Sequence, residues 1–284
     1  LYGTIVGNVT DVSSQSIPNA MVVMTNKQTG VSTTVTSNGA GEYEVHNLTP
    51  GIYRVQISAP GFATLAVDGL NVRANITIRA DEQLKISSVK QTVEVNGSYA
   101  AELQTDTATI HGELTSKELE NMPIGGFNNY QSLLSLLPGA TPSRFQNSVM
   151  DTPSRSLTTN INGSSRDSNV TSVDGAAIQQ VYLPSHTLYN PPTEDIQSVD
   201  VVTNAFTAEQ GLAGGAVVSV LPKSGTNAFH GTLWEENTNS ALAARNYFYN
   251  TTYFKLAGNS APKNILNQFG ANLGGPILHN KLFF

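Results

Sequence analysis

Residues 4–86 alternate with a period of two. In "IYRVQIS", Tyr53, Val55 and Ile57 fall on one side of an extended chain, and Arg54 and Gln56 fall on the other. The same rhythm runs through "TIVGNVTD", "AMVVMT", "VSTTVT" and "EYEV", with Gly, Pro, Asn or Ser at the breaks. Successive side chains of a strand point to opposite faces, so the pattern describes strands with one buried face. Short strands punctuated roughly every eight to twelve residues predict an antiparallel sandwich. A stretch of about 80 residues is long enough to close one core between two sheets.

Composition narrows the setting. Of 284 residues only 13% are charged, and polarity comes from Asn, Ser, Thr, Gln and 24 glycines. That palette suits turn-rich β structure. A net charge of −6 without a basic stripe argues against nucleic acid as a partner. Cysteine is absent, which removes disulfides, thiolate zinc sites and cysteine nucleophiles, and favours a bacterial envelope or a cytosol. No apolar run approaches the roughly 20 residues of a membrane helix. The chain opens Leu1-Tyr2-Gly3, without an initiator Met or a signal segment, and is expected to be trimmed at its front.

Beyond residue 86 the character changes. "VKQTVEVNG" is extended, and Thr115-Ser116-Lys117-Glu118 has capping-box spacing. Tyr130, Leu133, Leu134 and Leu137 follow the i, i+3, i+4, i+7 rule, which predicts a core-facing helix stopped by Pro138-Gly139. Extended stretches follow at 199–203 and 215–220, so residues 87–226 read as an α/β unit. From 227 to 284, Phe269, Ala271 and Leu273 alternate with Gln268, Gly270, Asn272 and Gly274. One apolar and one small or polar face suits a strand with lipid outside and water inside. His279-Asn280-Lys281 is a turn, and "LFF" then opens another strand, so the chain is expected to have been cut there.

Enzymatic motifs fail on context. Ser87-Ser88-Val89-Lys90 and Lys223-Ser224-Gly225 imitate two boxes of penicillin-interacting enzymes, but the first runs into β-rich sequence and no Ser-Asp-Asn lies between them. His111-Gly112-Glu113 imitates the deaminase zinc motif, which needs cysteines this chain lacks. The five histidines are scattered, and no glycine pair is followed by Gly-Lys-Ser/Thr. No catalytic residue, metal ligand or cofactor is expected.

Two resemblances follow from the residues themselves. Gly7-x-Val9-x-Asp11, Ile17-Pro18-x-Ala20-x-Val22, Gly41-x-Tyr43, Leu48-x-Pro50-Gly51-x-Tyr53 and Gly61-Phe62 resemble the carboxypeptidase regulatory-like domain, a transthyretin-like sandwich without peptidase chemistry. Asn19 stands where that family usually has Gly, and Asn accepts a positive φ better than most residues. Then "LPGATP", "NGSSRDSNVTSVDGA", "FTAEQGLAGGAVVSVLPKSGTNAFHGTLWE", "ARNYF" and "NQFGANLGGPILHNKLFF", in that order, resemble the plug and first barrel strands of TonB-dependent transporters of the Oar-like kind. Gln210 replaces a preferred Tyr, and Gly125-Gly126-Phe127 an Asn-Gly-Arg-like turn.

The resemblance implies a mixed architecture. A transthyretin-like antiparallel β-sandwich (1–86) precedes an α/β plug (87–226) and the first strands of a truncated transmembrane β-barrel (227–284). It implies a place in the outer membrane of a Gram-negative-type bacterium, with the sandwich in the periplasm. Uptake of an extracellular substrate would draw on the inner-membrane proton gradient through a TonB-type energy-transducing protein. Gln91, Thr92, Val93, Glu94 and Val95 would be the TonB box, or else an ordinary linker strand. Gly163, Arg166, Asn169, Asp174 and Gly175 would form turns and a polar network of the plug, or else a bare structural turn. Phe269, Ala271 and Leu273 would face outer-membrane lipid. The competing expectation is a secreted or surface module whose sandwich binds carbohydrate or protein through exposed aromatics, with Tyr2, Tyr43, Tyr53 and Phe62 as candidates.

Overall fold

The computed structural model of the chain describes residues 2–86, 92–96, 108–122, 124, 129–142, 157–184, 186–206, 208–210, 213–242, 244, 263 and 265–284. By packing it forms two units, one of residues 1–229 with 274–284 and one of residues 230–273.

The first segment carries β1 (Gly3–Asp11), β2 (Met21–Asn26), β3 (Ser32–Thr36), β4 (Glu42–Leu48), β5 (Gly51–Ser58), β6 (Thr64–Val72), β7 (Thr77–Arg79) and β8 (Glu82–Leu84), followed by β9 (Thr92–Asn96). One sheet has the order β4-β1-β7, with β8 also on β1, and the other has the order β3-β2-β5-β6-β9. The alternation places Ile5, Val9, Val22, Met24, Val45, Val55 and Ile57 in the core between them. Three pairings differ from the antiparallel expectation, because β7 and β8 run parallel to β1, and β9 runs parallel to β6. Asn19 does adopt a positive φ of 56°, so the turn before β2 closes without glycine.

The next segment carries β10 (Ile110–Thr115), α1 (Ser116–Asn121), β11 (Val170–Val173), β12 (Ala176–Ala177), β13 (Ile196–Asn204) and β14 (Val217–Pro222), in a sheet of order β10-β13-β14-β11-β12. Helix α1 starts on the expected capping box: the Glu118 N–H donates to Thr115 Oγ1, and the Thr115 N–H donates to Glu118 Oε2 at 2.8 Å. Residues Tyr130–Leu136 form a 3₁₀ helix rather than an α-helix, closed where the Leu137 N–H donates to the Leu134 carbonyl. Its apolar stripe is nevertheless core, with Tyr130, Leu133 and Leu134 buried against β13 and β14 residues and Leu137 packed alongside.

Two ten-residue strands, β15 (His230–Asn239) and β16 (Ile265–Gly274), pair with each other. After β16, β17 (Pro276–Leu278) and β18 (Leu282–Phe283) form an antiparallel hairpin whose turn carries Asn280 at φ 59°.

Candidate functional site

The candidate box lies on a sheet edge. Thr92, Val93, Glu94 and Val95 belong to β9, and Gln91 lies outside the described residues. The register Thr64↔Thr92, Leu65↔Val93, Ala66↔Glu94, Val67↔Val95 and Asp68↔Asn96 docks the segment on β6 as the last strand of its sheet.

The plug residues separate into two groups. Asn162 and Gly163, at φ 52° and 72°, make a turn leading to the short 3₁₀ helix Arg166–Ser168. Asn169 ties two other backbone segments together at the start of β11. It donates from Nδ2 to the Thr159 carbonyl at 2.8 Å, accepts at Oδ1 from the Ala216 N–H at 3.0 Å, and its carbonyl receives Gln179 Nε2. Arg166 and Asn169 share the lining of a cavity of about 30 Å³ with Gln131, Thr159 and Ile161, which has room for about one or two waters. Asp174 and Gly175 sit at the opposite end of β11. Both have positive φ, 47° and 75°, and form the two-residue turn into β12. The fold therefore brings together Gly163, Arg166 and Asn169, while Asp174 and Gly175 make a separate hairpin turn.

Sequence reasoning missed a second polar focus. Asp200 of β13 is buried and lies directly opposite Glu113 of β10. Like charges facing across a ladder repel, and the segment between β6 and β7 supplies a donor to each. Asn75 Nδ2 donates to Asp200 Oδ2 at 3.1 Å, and Arg73 Nη1 pairs with Glu113 Oε2 at 3.1 Å. Burial pushes the Asp200 carboxyl above its ordinary range, against the pull of the Asn75 hydrogen bond and of nearby His111. No local pattern could have announced a contact spanning 125 positions. Also missed was an apolar loop tip, where Val181 and Tyr182 stand exposed beyond the bridge Gln179↔Thr187. The apolar run "VYLP", too short for a strand, was its only trace.

In the unit of residues 230–273, β16 keeps strict alternation. Phe269 is 80% and Leu273 67% exposed, Ala271 is exposed between them, and Gln268, Gly270 and Asn272 are half-buried. Trp234 of β15 lies across Gly270, where a Cβ would come within 2.6 Å of the indole. Glycine thus makes room for an aromatic on the inner face.

Other candidates resolve into structure. Tyr43 and Tyr53 are core residues and Phe62 packs against the same core, so of the four aromatics proposed for a binding face only Tyr2 is exposed. Lys223 pairs with Glu120 of α1 at 2.5 Å, and Ser87–Lys90 lie outside the described residues. Among the described residues no three His, Asp or Glu side chains gather into a metal-binding group.

Three family models match in order along the chain. The carboxypeptidase regulatory-like domain matches residues 4–96, the TonB-dependent receptor plug domain 103–218, and an outer membrane beta barrel domain 221–284. The TonB-dependent transporter Oar of Myxococcus xanthus is 27% identical over 99% of this chain. The chain is thus similar, along almost its whole length, to a TonB-dependent transporter. It spans 26% of the length of Oar. Among solved structures, the outer membrane transporter YddB of Escherichia coli aligns with 59% of this chain and 24% of its own, at 17% identity and a TM-score of 0.48. The siderophore receptor PirA of Acinetobacter baumannii aligns with 60% and 22%, at 20% identity and 0.42. The plug and barrel matches imply a place in the outer membrane of a Gram-negative-type cell.

Proposed function

We propose that the chain is the N-terminal part of an outer-membrane transporter that takes up a substrate, such as a glycan, a peptide or a metal chelate, and not an enzyme. The observation that carries this is the order of the three matched modules, sandwich then plug then barrel start. Strand geometry supports it. β15 and β16 are ten residues each, within the roughly 9–11 that a tilted strand needs to cross a bilayer. From Phe269 to Leu273, the exposed apolar residues of β16 alternate with half-buried Gly270 and Asn272, as lipid on one side and a filled lumen on the other require. In this reading residues 1–86 lie in the periplasm, 87–226 fill the barrel and 227–284 begin its wall.

The energy source in this reading is the inner-membrane proton gradient, delivered by a TonB-type protein that adds a strand to residues 91–95. Backbone hydrogen bonds would then supply most of the affinity. Proline removes one amide from such a ladder. Val93→Pro and Val95→Pro in the full-length receptor are expected to abolish uptake while leaving substrate binding to whole cells intact. Uptake unchanged in both variants would return the segment to an ordinary linker.

A further inference from the structure

One end of the sandwich reaches out in two directions. The turn after β2 and the segment after β6 lie at the same end, because both strands finish beside the start of β5, with Asn26 opposite Tyr53 and Val72 opposite Gly51. From the segment after β6, Arg73 and Asn75 hold Glu113 and Asp200 of the plug sheet. The turn after β2 goes elsewhere. Its Gln28 carbonyl accepts from the Asn227 N–H at 3.0 Å, and Gly30 packs so closely that a Cβ there would collide with Asn280 Oδ1. Asn227 in turn grips the β17–β18 turn. Its Oδ1 accepts from the Asn280 N–H at 2.9 Å, and its Nδ2 donates to Asn280 Oδ1 at 2.7 Å. We infer that the sandwich is a latch across the seam between plug and barrel: one end holds the plug sheet at Arg73 and Asn75 and the first barrel turn at Gln28 and Gly30, and the plug loosens only when one of these grips lets go. This rests on the transporter reading, in which residues 87–226 fill a barrel and must move for a substrate to pass. In that reading the short turn around Asn280 lies on the periplasmic rim, the side on which the sandwich sits.

Both grips are built to open. The sandwich core and the plug core are separate apolar clusters that share no residue. What joins them is an ion pair and an amide–carboxylate bond, and the rim is held by backbone and asparagine groups. Interfaces between domains that rest on such polar contacts part readily, unlike a merged apolar core. The plug grip is also incomplete. Asp200 is buried and Asn75 serves its Oδ2, while among the described residues its Oδ1 has no hydrogen-bond partner. Leaving a buried acceptor unsatisfied is unfavourable, so letting water reach this carboxylate offsets part of what is lost on release.

Two grips in series leave a signature: cutting either one frees the plug, and cutting both adds nothing. Arg73→Ala with Asn75→Gly cuts the plug grip, glycine keeping the φ of 59° at position 75. Gly30→Asn wedges the rim grip, because asparagine tolerates the φ of 70° there while its Cβ meets Asn280. Asn227→Ala is a second rim cut, used in its place should Gly30→Asn fail to assemble. Each set, and the plug and rim cuts combined, is made in the full-length receptor, and outer-membrane assembly is checked as a heat-modifiable band. Hydrogen exchange of the β13 amides, 196–204, is then followed in the purified receptors. The expected result is exchange about tenfold faster in each variant, the order set by losing a hydrogen bond to a charged group, and no faster in the combination. The rim cut is decisive, since the Cβ added at position 30 meets Asn280 and Asn227 and leaves the Arg73 and Asn75 bonds in place. Exchange in β13 unchanged by the rim cut, or effects of the two cuts that add, overturns the latch and leaves the transporter reading standing. An unaltered receptor that forms no heat-modifiable band removes the transporter reading, and the latch with it.

Discussion

Gly7 shows how one position can constrain a sandwich. It sits mid-strand in β1, where an added Cβ would collide with the Ala80 carbonyl and come within 2.9 Å of the Tyr43 ring. Tyr43 needs that space because its hydroxyl reaches past Gly7 to donate to the Ala80 carbonyl at 2.6 Å. The bond satisfies a buried polar tip, and burial in turn pushes the phenol well above its ordinary range. Gly7→Ala is therefore expected to destabilise the chain by about 1–3 kcal/mol, the usual cost of forcing an extra group into a packed core. Asn19→Gly, at a position already in the left-handed region, should change stability by only a few tenths of a kcal/mol. Denaturant midpoints of the two variants measure the contrast, and equal midpoints would mean that β1 and β7 part easily.

At the scale of elements, β16 carries the most information per residue. Its exposed face carries Ile265, Phe269, Ala271 and Leu273 with one polar residue, Asn267, and its half-buried face holds Gln268, Gly270 and Asn272. If the exposed face meets lipid, Leu273→Arg costs about 2–4 kcal/mol near the bilayer midplane, and Asn272→Arg costs little. Outer-membrane assembly of the two full-length variants, read as a heat-modifiable band on a gel, separates them. Equal tolerance of Arg at both positions would mean that this face never touches lipid. Helix α1 illustrates a different economy. Six residues are too few for a stable isolated helix, so its start rests on the reciprocal Thr115 and Glu118 bonds and its packing on Leu119. The Thr115 amide bond also holds the Glu118 carboxyl below its ordinary range.

For the whole molecule, the contact between sandwich and plug sheet has a pH signature. Burial raises the Asp200 carboxyl above its ordinary 3.8, so the folded protein holds that proton more tightly than the unfolded chain does. Stability from this group is present below pH 3.8 and is lost as pH rises through the elevated value. Asp200→Asn keeps an oxygen for Asn75 and removes the titration. The melting temperature of the variant should therefore fall less than that of the native protein as pH is raised from about 4. Parallel curves would show that water reaches the carboxylate after all.

Local physics made much of this protein legible. The two-residue period set the core face of β1, β2 and β5, because a strand has no other way to sort its side chains. The Thr115–Glu118 spacing set the start of α1, and Asn19 and Asp174-Gly175 set turns, because few residues accept positive φ. The alternation of Phe269, Ala271 and Leu273 was equally plain. Only the tertiary structure decided which strands pair. Nothing in "TVEVN" says that it will run parallel to β6 rather than hang as a linker, and nothing in Tyr130 to Leu137 distinguishes a 3₁₀ from an α turn. Asp200 opposite Glu113, with donors from Arg73 and Asn75, depends on strands brought together from across the chain. Such choices turn on which closure buries the most apolar surface while leaving no polar group without a partner, and that sum is taken over the whole fold, never over a window of sequence.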